Sequence, residues 1–268
     1  MTSGFQDSIE REMTLVVSSE TPRGIIDQIS LLRSIGRYRL VPRNSETIHD
    51  FYFDTPDQLL ENQLLALRVR TVDTNFFLTL KDRAQSSDWG GVERFEVELP
   101  WSHDALVRCV EELMDRGINI RYQSSNFDLA SPQIVMQNLN LIVVQNRTID
   151  RKVRHIILHE GDGLVFAELT IDSVTYHFRN LEVHHHEMEI EAKVKHRSIE
   201  LRTLVEHLIR MYKPALRKWI HSKVAIGKVV ERLLDEGNLK NLLDFNNDLL
   251  PIAYDKIVDC LEPNRVND

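Results

Sequence analysis

Polar and apolar residues alternate along eight stretches of the chain, and this period of two is typical of strands with one buried face. The predicted strands cover residues 9–17, 47–55, 64–72, 76–81, 92–99, 151–158, 165–174 and 186–194. Apolar residues recur at helical spacing in four other stretches. The predicted helices cover residues 24–35, 102–116, 198–212 and 223–235, and one or two short helices interrupted by Pro251 follow near the end of the chain. Residues 119–146 show neither period and are predicted to be irregular.

The polar faces of these strands are charged, and single strands carry mostly one sign. On the first strand Glu10 and Glu12 share a face with Thr14, whereas on the third strand Arg68 and Arg70 share a face. A sheet with one face in water explains any one strand. Like charges at alternate positions repel each other, however, unless cations neutralise the carboxylates and anions such as phosphate neutralise the guanidinium groups.

A second interpretation therefore turns the charged faces inward. The strands would form an eight-stranded antiparallel β-barrel, or tunnel, with a charged interior, and the amphipathic helices would cover its apolar outer face. The fold class predicted from the sequence is α+β with this architecture.

Composition and net charge narrow the possible partners. Lys and Arg number 33 and Asp and Glu 41, which gives a net charge of −8. An acidic chain repels nucleic acid and anionic membranes, so we expect neither as a partner. The two cysteines are too few for a disulfide framework, and the sequence has no apolar secretory segment and no apolar run of membrane-spanning length. We therefore expect a cytoplasmic protein, and the oligomeric state is left open.

Five ordered motifs resemble the CYTH family, the triphosphate tunnel metalloenzymes. Residues 9–12, I-E-R-E, resemble the opening E-x-E-x-K strand, and residues 50–55, D-F-Y-F-D-T, resemble D-x-Y-F-D-T. Residues 65–70, L-A-L-R-V-R, are similar to A-L-R-x-R, residues 78–81 to L-T-L-K, and residues 94–98 to R-x-E-x-E. Weaker matches follow in the same order at Arg151, Asp172, residues 189–191 and residues 222–223.

The resemblance covers about residues 8–228, with an insertion at about 119–146 and a C-terminal helical extension at 229–268. It implies a metal-dependent hydrolase of a small triphosphate, either inorganic triphosphate or an organic one such as thiamine triphosphate or a nucleotide, with Mg²⁺ or Mn²⁺ as cofactor. Two alternatives stay open. One is a class IV-type adenylyl cyclase, and the other is a non-catalytic module that binds polyphosphate or nucleotide.

The resemblance also implies roles for individual residues. Glu10, Glu12, Lys81, Arg68 and Arg70 are the expected catalytic residues. The substrate-binding set is Arg68, Arg70, Lys81, Arg94, Arg151 and Lys223, and the metal-binding set is Glu10, Glu12, Glu96, Glu98, Asp172, Glu187, Glu189 and Glu191. Arginine binds phosphate oxygens in bidentate fashion, and hard divalent cations prefer carboxylate oxygen.

Two local features depart from this pattern. Thr14 stands where the E-x-E-x-K strand has its lysine, which predicts weaker retention of a triphosphate. The run His184, His185 and His186 could suggest zinc, but these histidines have no cysteine nearby. We interpret the three histidines as a solvated turn.

Overall fold

The computed structural model describes residues 8–120, 129–158, 163–194 and 198–263. It contains a mixed α+β fold with one eleven-stranded sheet. The strands are β1 (Ser8–Val17), β2 (Ser34–Ile35), β3 (Tyr38–Asp54), β4 (Ala66–Val72), β5 (Asn75–Lys81), β6 (Gln85–Ser86), β7 (Val92–Pro100), β8 (Ile142–Leu158), β9 (Val165–His177), β10 (Glu182–Ala192) and β11 (Leu216–Trp219). The α-helices of the described ranges are α1 (Pro22–Ser30), α2 (Leu59–Asn62), α3 (His103–Asp115), α4 (Pro132–Asn138), α5 (Ser198–Tyr212), α6 (Lys223–Asp235) and α7 (Pro251–Leu261), and Lys240–Leu242 forms a 3₁₀ turn.

Eight strands follow one another in an order that closes on itself. The order is β1, β10, β9, β8, β3, β4, β5 and β7, and β7 also pairs with β1. The short strands β11, β2 and β6 are additions to β1, β3 and β7, respectively. This antiparallel ring of eight strands confirms the predicted fold class.

The chain divides into two compact units, each with its own hydrophobic core. The first unit comprises Met1–Glu10, Thr47–Gln85 and Glu93–Thr148, and the second comprises Arg11–Glu46, Ser86–Val92 and Ile149–Asp268. In the first unit the apolar faces of β4, β5 and β7 pack against α3 and α4. In the second unit the apolar faces of β1, β9 and β10 pack against α1 and α5. The helices therefore cover the apolar strand faces, as the pattern predicts.

Two helix starts show why the sequence predicts them well. The Ser102 hydroxyl accepts a hydrogen bond from the Ala105 N–H at 3.1 Å and caps α3. The Ser222 hydroxyl accepts from the Ala225 N–H at 3.2 Å and caps α6 in the same way. Such caps satisfy amide groups that the first helical turn leaves without partners.

Other local predictions were wrong. The helix predicted over residues 24–35 ends at Ser30, because Ile35 belongs to β2 and pairs with Tyr38 across a turn that contains Gly36 at a φ of +55°. The part of residues 119–146 that is described is not irregular, since it contains α4 and the beginning of β8. Residues 121–128 of that stretch lie outside the described residues.

The three histidines do not form a solvated turn. They lie within β10, and His185 and His186 have exposed fractions of 0% and 4%. The segment after α6 covers this strand, because the His184 N–H donates to the Asn247 carbonyl at 2.8 Å and the Leu249 N–H donates to the His184 carbonyl at 2.9 Å. In the described ranges, we find no helix with the length and apolar character needed to cross a bilayer.

Candidate functional site

Three arginines of the first unit surround one buried carboxylate. The Asp50 side chain is fully buried and accepts two hydrogen bonds from Arg70, at 2.8 and 3.0 Å. Arg147 donates to the same carboxylate at 3.1 and 3.3 Å, and Arg68 lies 3.6 Å from it. The Tyr52 hydroxyl accepts hydrogen bonds from Arg147 and Arg68. We call these five residues the basic cluster.

Strand register explains why these residues meet. Asp50 pairs directly with Arg70, and Tyr52 pairs with Arg68, across β3 and β4. Paired residues of antiparallel strands point to the same face, so alternate residues of the two strands form one polar surface. On the next strand Thr79 pairs with Arg68, and its hydroxyl lies 3.3 Å from that guanidinium group.

The charges of the basic cluster shift the pKa values of its acids. Burial by itself would raise the pKa of Asp50, but Arg68, Arg70 and Arg147 outweigh this effect and hold it well below its usual range. Burial would likewise raise the pKa of Tyr52, but Arg147 and Arg68 outweigh this effect and lower it. Asp50 is therefore an ionised carboxylate that fixes three cationic side chains in place.

A second group of ion pairs lies in the same unit. Lys81 Nζ is 2.8 Å from Glu96 and 3.4 Å from Glu10, and Arg94 Nε is 2.7 Å from Glu10. Burial and the neighbouring Glu10 raise the pKa of Glu96, although Lys81 works against them. Glu98 lies 3.0 Å from Arg68, and this arginine together with Arg70 lowers the pKa of Glu98 against the effect of burial.

Three carboxylates of the second unit form a separate group. Asp172, Glu187 and Glu189 each offer an oxygen, and these oxygens lie within 4.8 Å of one another. Lys223 Nζ contacts all three carboxylates, with distances of 3.2 Å to Asp172 and 2.8 Å to Glu189. Arg151 donates to both oxygens of Asp172, at 2.8 and 2.7 Å. We call these five residues the acidic cluster.

The cations of the acidic cluster keep its buried acid ionised. Burial would raise the pKa of Asp172, but Arg151 and Lys223 lower it. Burial would lower the pKa of Lys223, but Glu187, Glu189 and Asp172 raise it. Both residues are therefore charged, and the three carboxylates share two cations.

The acidic cluster has the chemistry that a hard divalent cation requires. Its donors are carboxylate oxygens, which suit Mg²⁺ and Mn²⁺. Thr170 pairs with Glu189 across β9 and β10, and its buried hydroxyl has no hydrogen-bond partner in the described part of the chain. The donor set and this orphaned hydroxyl fit a metal, although the Lys223 ammonium already occupies a place among the carboxylates.

A further acidic row lies next to the acidic cluster. Glu191 pairs with Glu12 on β1 and with Glu168 on β9. Lys193 lies 2.6 Å from Glu191 and 3.5 Å from Glu168, and its pKa is raised by these carboxylates despite burial. Glu12 is 4% exposed, so it is buried rather than part of a solvated face.

His185 and Tyr254 extend the acidic cluster on one side. His185 Nε2 lies 2.7 Å from Glu187, and His185 Nδ1 lies 3.0 Å from the Tyr254 hydroxyl. Burial lowers the pKa of His185, although Glu187 acts in the opposite direction. Burial raises the pKa of Tyr254. Nearby, the Tyr176 hydroxyl donates to the backbone carbonyl of Lys223 at 2.7 Å.

His186 points to the other face of β10 and has a different role. Its ring contacts the Ser173 hydroxyl at 3.1 Å and Asp248 at 2.8 Å, and Asp248 also accepts from Arg23 at 2.7 Å. Burial would raise the pKa of Asp248, but its contacts with His186 and Arg23 lower it. These contacts tie the segment before α7 to β10 and α1.

The residues expected from the sequence fall into both units. Those in the first unit are Glu10, Arg68, Arg70, Lys81, Arg94, Glu96 and Glu98, and those in the second are Glu12, Arg151, Asp172, Glu187, Glu189, Glu191 and Lys223. The expected metal residues Glu10, Glu96 and Glu98 contact cationic side chains of the first unit. Their function as metal ligands stays a prediction.

Sequence reasoning missed several residues of these clusters. Asp50 and Tyr52 were part of a recognised motif but received no role. Arg147 was missed because the strand was expected to begin at residue 151, although parity places Arg147 and Arg151 on one face. His185 has the same parity as Glu187 and could have been found in the same way, whereas no signal in the sequence pairs it with Tyr254.

Comparison with known proteins assigns the family. A model of the CYTH domain matches residues 26–217, which is more than half of the chain. The chain belongs to the CYTH family. The matched region of this CYTH protein includes parts of both units, but it ends before Lys223, α6 and α7. No curated protein matches the sequence.

Solved structures similar to this CYTH protein share little sequence with it. A candidate adenylyl cyclase from Hippeastrum with a dominant triphosphatase activity is 17% identical, with a TM-score of 0.49, and the alignment covers 82% of this chain and 95% of that one. A candidate adenylate cyclase from Bacillus halodurans is 18% identical, with a TM-score of 0.47 and coverage of 81% and 96%. The protein PH1819 from Pyrococcus horikoshii is 16% identical, with a TM-score of 0.46 and coverage of 85% and 99%.

Proposed function

We propose that this CYTH protein is a metal-dependent hydrolase of a small triphosphate. The observation that carries the proposal is the division of charge between the two units. In the first unit, the basic cluster and its neighbours bring five cationic side chains together with four carboxylates. In the second unit, the acidic cluster has more carboxylates than cations. One set of charges suits phosphate and the other suits a divalent metal.

The cationic side chains of the first unit differ in how easily a phosphate can reach them. The side chains of Arg68 and Arg147 are 5% and 3% exposed, whereas those of Arg94 and Lys81 are 12% and 16% exposed. We therefore propose that Lys81, Arg94 and Arg70 contact phosphate oxygens directly. Arg68 and Arg147 are more deeply buried, so we propose that they add positive charge without contacting the phosphate and hold Asp50 and Tyr52 in place.

Asp172, Glu187 and Glu189 are the residues proposed to hold Mg²⁺ or Mn²⁺, and the expected ligands Glu12 and Glu191 lie beside them in the same unit. A bound divalent cation would supply charge neutralisation on the phosphate oxygens and a more acidic water. Lys223 and Arg151 offer hydrogen-bond donors to phosphate oxygens on the same cluster.

Phosphoryl transfer depends on positioning and on charge stabilisation more than on covalent chemistry. The proposed part of this chain is therefore to hold cationic side chains rigidly within each unit. The buried pairs Asp50–Arg70 and Asp172–Arg151, each joined by two hydrogen bonds, supply such rigidity without side-chain reorganisation.

A substrate panel tests the proposal. The purified protein is incubated with inorganic tripolyphosphate, thiamine triphosphate or ATP, with Mg²⁺, Mn²⁺ or chelator, and phosphate and cyclic AMP are both measured. We expect metal-dependent release of phosphate from at least one substrate. Lys81→Met should reduce this release strongly, whereas Lys152→Met, which removes a partly exposed lysine near Asp27, should not.

Each other result points to a different conclusion. Cyclic AMP as the main product would assign the protein to the cyclase branch, and tight binding of tripolyphosphate without any product would make it a binding module. Absence of both product and binding under all metal conditions would contradict the proposal.

A further inference from the structure

Four buried side chains form a continuous line of contacts from α7 to the acidic cluster. The Tyr254 hydroxyl lies 3.0 Å from His185 Nδ1, and His185 Nε2 lies 2.7 Å from Glu187 Oε2. The other oxygen of Glu187 contacts Lys223 Nζ. All four residues are 7% exposed or less, so water does not compete for these contacts.

The chemistry of the groups fixes the direction of the hydrogen bonds. A carboxylate only accepts, so His185 Nε2 must carry the ring proton and donate a hydrogen bond to Glu187. In the neutral ring Nδ1 then lacks a proton and accepts from the Tyr254 hydroxyl. Each oxygen of Glu187 thus has its own donor, His185 for one and Lys223 for the other.

We infer that Tyr254 and His185 form a positioning pair that holds Glu187 in the orientation required for its work in the acidic cluster, so that α7 is part of the site. The inference rests on the proposed function, because it assigns a role in that same site. It extends the site to a helix that lies beyond the matched family region, which ends at residue 217.

Contacts on and before α7 hold this helix in the position from which Tyr254 reaches His185. The parallel bridge between His184 and Asp248 and the contacts of Asp248 with His186 fix the chain immediately before α7. Tyr254 itself is 1% exposed and packs edge-on against Trp219, with ring centroids 5.7 Å apart. The Tyr254 hydroxyl is buried together with the ring, and His185 Nδ1 is its hydrogen-bond partner.

The test compares Tyr254→Phe with a matched control, Tyr38→Phe. Both tyrosines are buried, and both hydroxyls contact a protein acceptor, which for Tyr38 is the Glu200 carbonyl at 3.3 Å. Both variants keep the ring, so both should fold. Steady-state hydrolysis of tripolyphosphate with Mn²⁺ gives kcat and KM, calorimetry gives the Mn²⁺ affinity, and nitrogen NMR of ¹⁵N-histidine-labelled protein gives the tautomer of His185, assigned with His185→Gln.

Wild-type His185 should show the Nε2–H tautomer. Tyr254→Phe should keep this tautomer, because Glu187 still accepts from Nε2, but the Nδ1 resonance should move because Nδ1 has lost its hydrogen-bond donor. We expect kcat to fall about tenfold, as for other partners that orient a ligand residue, while KM changes less than about twofold. Tyr38→Phe should change none of these quantities.

An Nδ1–H tautomer in the wild type, or a Tyr254→Phe variant that behaves like Tyr38→Phe, would overturn the inference. Failure of the proposed function would differ, because the wild type itself would then release no phosphate. In that case the Nδ1 resonance and the Mn²⁺ affinity decide the inference. If either is unchanged in Tyr254→Phe, the inference fails, and a shifted Nδ1 resonance with weaker Mn²⁺ binding supports it.

Discussion

Asp50 and Arg70 lie directly opposite each other on β3 and β4 and are joined by two hydrogen bonds of 2.8 and 3.0 Å. The Asp50 carboxylate is fully buried, and Arg68 and Arg147 approach it as well. One negative charge therefore holds three positive charges in a small volume. Without it, the three guanidinium groups would repel one another in a poorly solvated environment.

The first prediction is that Asp50→Asn is strongly destabilising. The substitution preserves shape but leaves buried guanidinium groups without their counter-ion, which typically costs about 3–5 kcal/mol. Urea denaturation followed by circular dichroism measures the change in the free energy of unfolding.

Asp255→Asn is the matched control, because Asp255 is 64% exposed and pairs with Arg217 at 2.7 Å. An exposed pair contributes about 0–1 kcal/mol. Equal effects of the two substitutions would show that Asp50 is not the centre of the basic cluster.

The basic cluster also shows how much of the site can be predicted from the sequence. Strand parity placed Arg68 and Arg70 on one face, and the structure has them there because side chains of a strand alternate strictly. Parity identifies a shared face, but it does not identify the partner across it. The pairing of Asp50 with Arg70 depends on the register between β3 and β4, which no local pattern encodes.

The histidines of β10 show where a local prediction fails. The sequence predicts a solvated turn at His184, His185 and His186, because strand alternation separates His185 from the other two and no cysteine lies nearby to complete a zinc site. His185 and His186 are buried and His184 is half-buried, because the segment before α7 pairs with β10, and that segment lies about 60 residues further along the chain. The local sequence could not predict a covering element so distant, so the burial of His185 and its contact with Tyr254 were missed.

The second prediction concerns pH. Glu96 and Glu98 lie on the same face of β7, yet their pKa values shift in opposite directions. A raised pKa means that the fold prefers the protonated form. The contribution of Glu96 to stability is therefore present below its unfolded pKa and falls as the pH rises from about 4.5 through the folded value. Glu98 has a lowered pKa, so its contribution is present above the unfolded pKa and is lost as the pH falls through the folded value.

Glu96→Gln and Glu98→Gln measure this difference when each is compared with the wild type between pH 3 and pH 7 by urea denaturation (a range set by the usual glutamate pKa). Relative to the wild type, Glu96→Gln should become more stable as the pH rises above 4.5, whereas Glu98→Gln should become less stable. Parallel curves for the two variants would contradict the opposite directions of the two pKa shifts.

The third prediction concerns competition at the acidic cluster. The Lys223 ammonium lies among the same carboxylates that are proposed to bind metal. Removing this charge relieves a repulsion worth at least about 1 kcal/mol, even with the screening of water. Lys223→Met should therefore bind Mn²⁺ about fivefold more tightly, as measured by calorimetry without substrate.

The same substitution should weaken the binding of tripolyphosphate, because it removes a proposed phosphate donor. Glu189→Gln should weaken Mn²⁺ binding, and Lys152→Met should change neither affinity. If Lys223→Met leaves the Mn²⁺ affinity unchanged, then the metal does not bind among Asp172, Glu187 and Glu189.

The fourth prediction concerns Thr14, which replaces the lysine of the family motif. Thr14 pairs with Glu189 across β1 and β10, so the two side chains point to the same face. A lysine at this position would place an ammonium group next to a carboxylate of the acidic cluster. The threonine hydroxyl supplies no charge, and we therefore expect the natural protein to hold a triphosphate less firmly than a protein with the complete motif.

Thr14→Lys should raise the affinity for tripolyphosphate with Mg²⁺ by roughly 1–2 kcal/mol, on the scale of one charge-assisted hydrogen bond. Calorimetry on both proteins measures the change, and Thr203→Lys on α5 controls for the gain in overall positive charge. The new ammonium could instead pair with Glu189 alone. Thr14→Lys would then bind tripolyphosphate no better than Thr203→Lys, and position 14 would not contribute to the phosphate site. A gain confined to Thr14→Lys would place the phosphate chain within reach of β1 and would explain why the family motif has a lysine there.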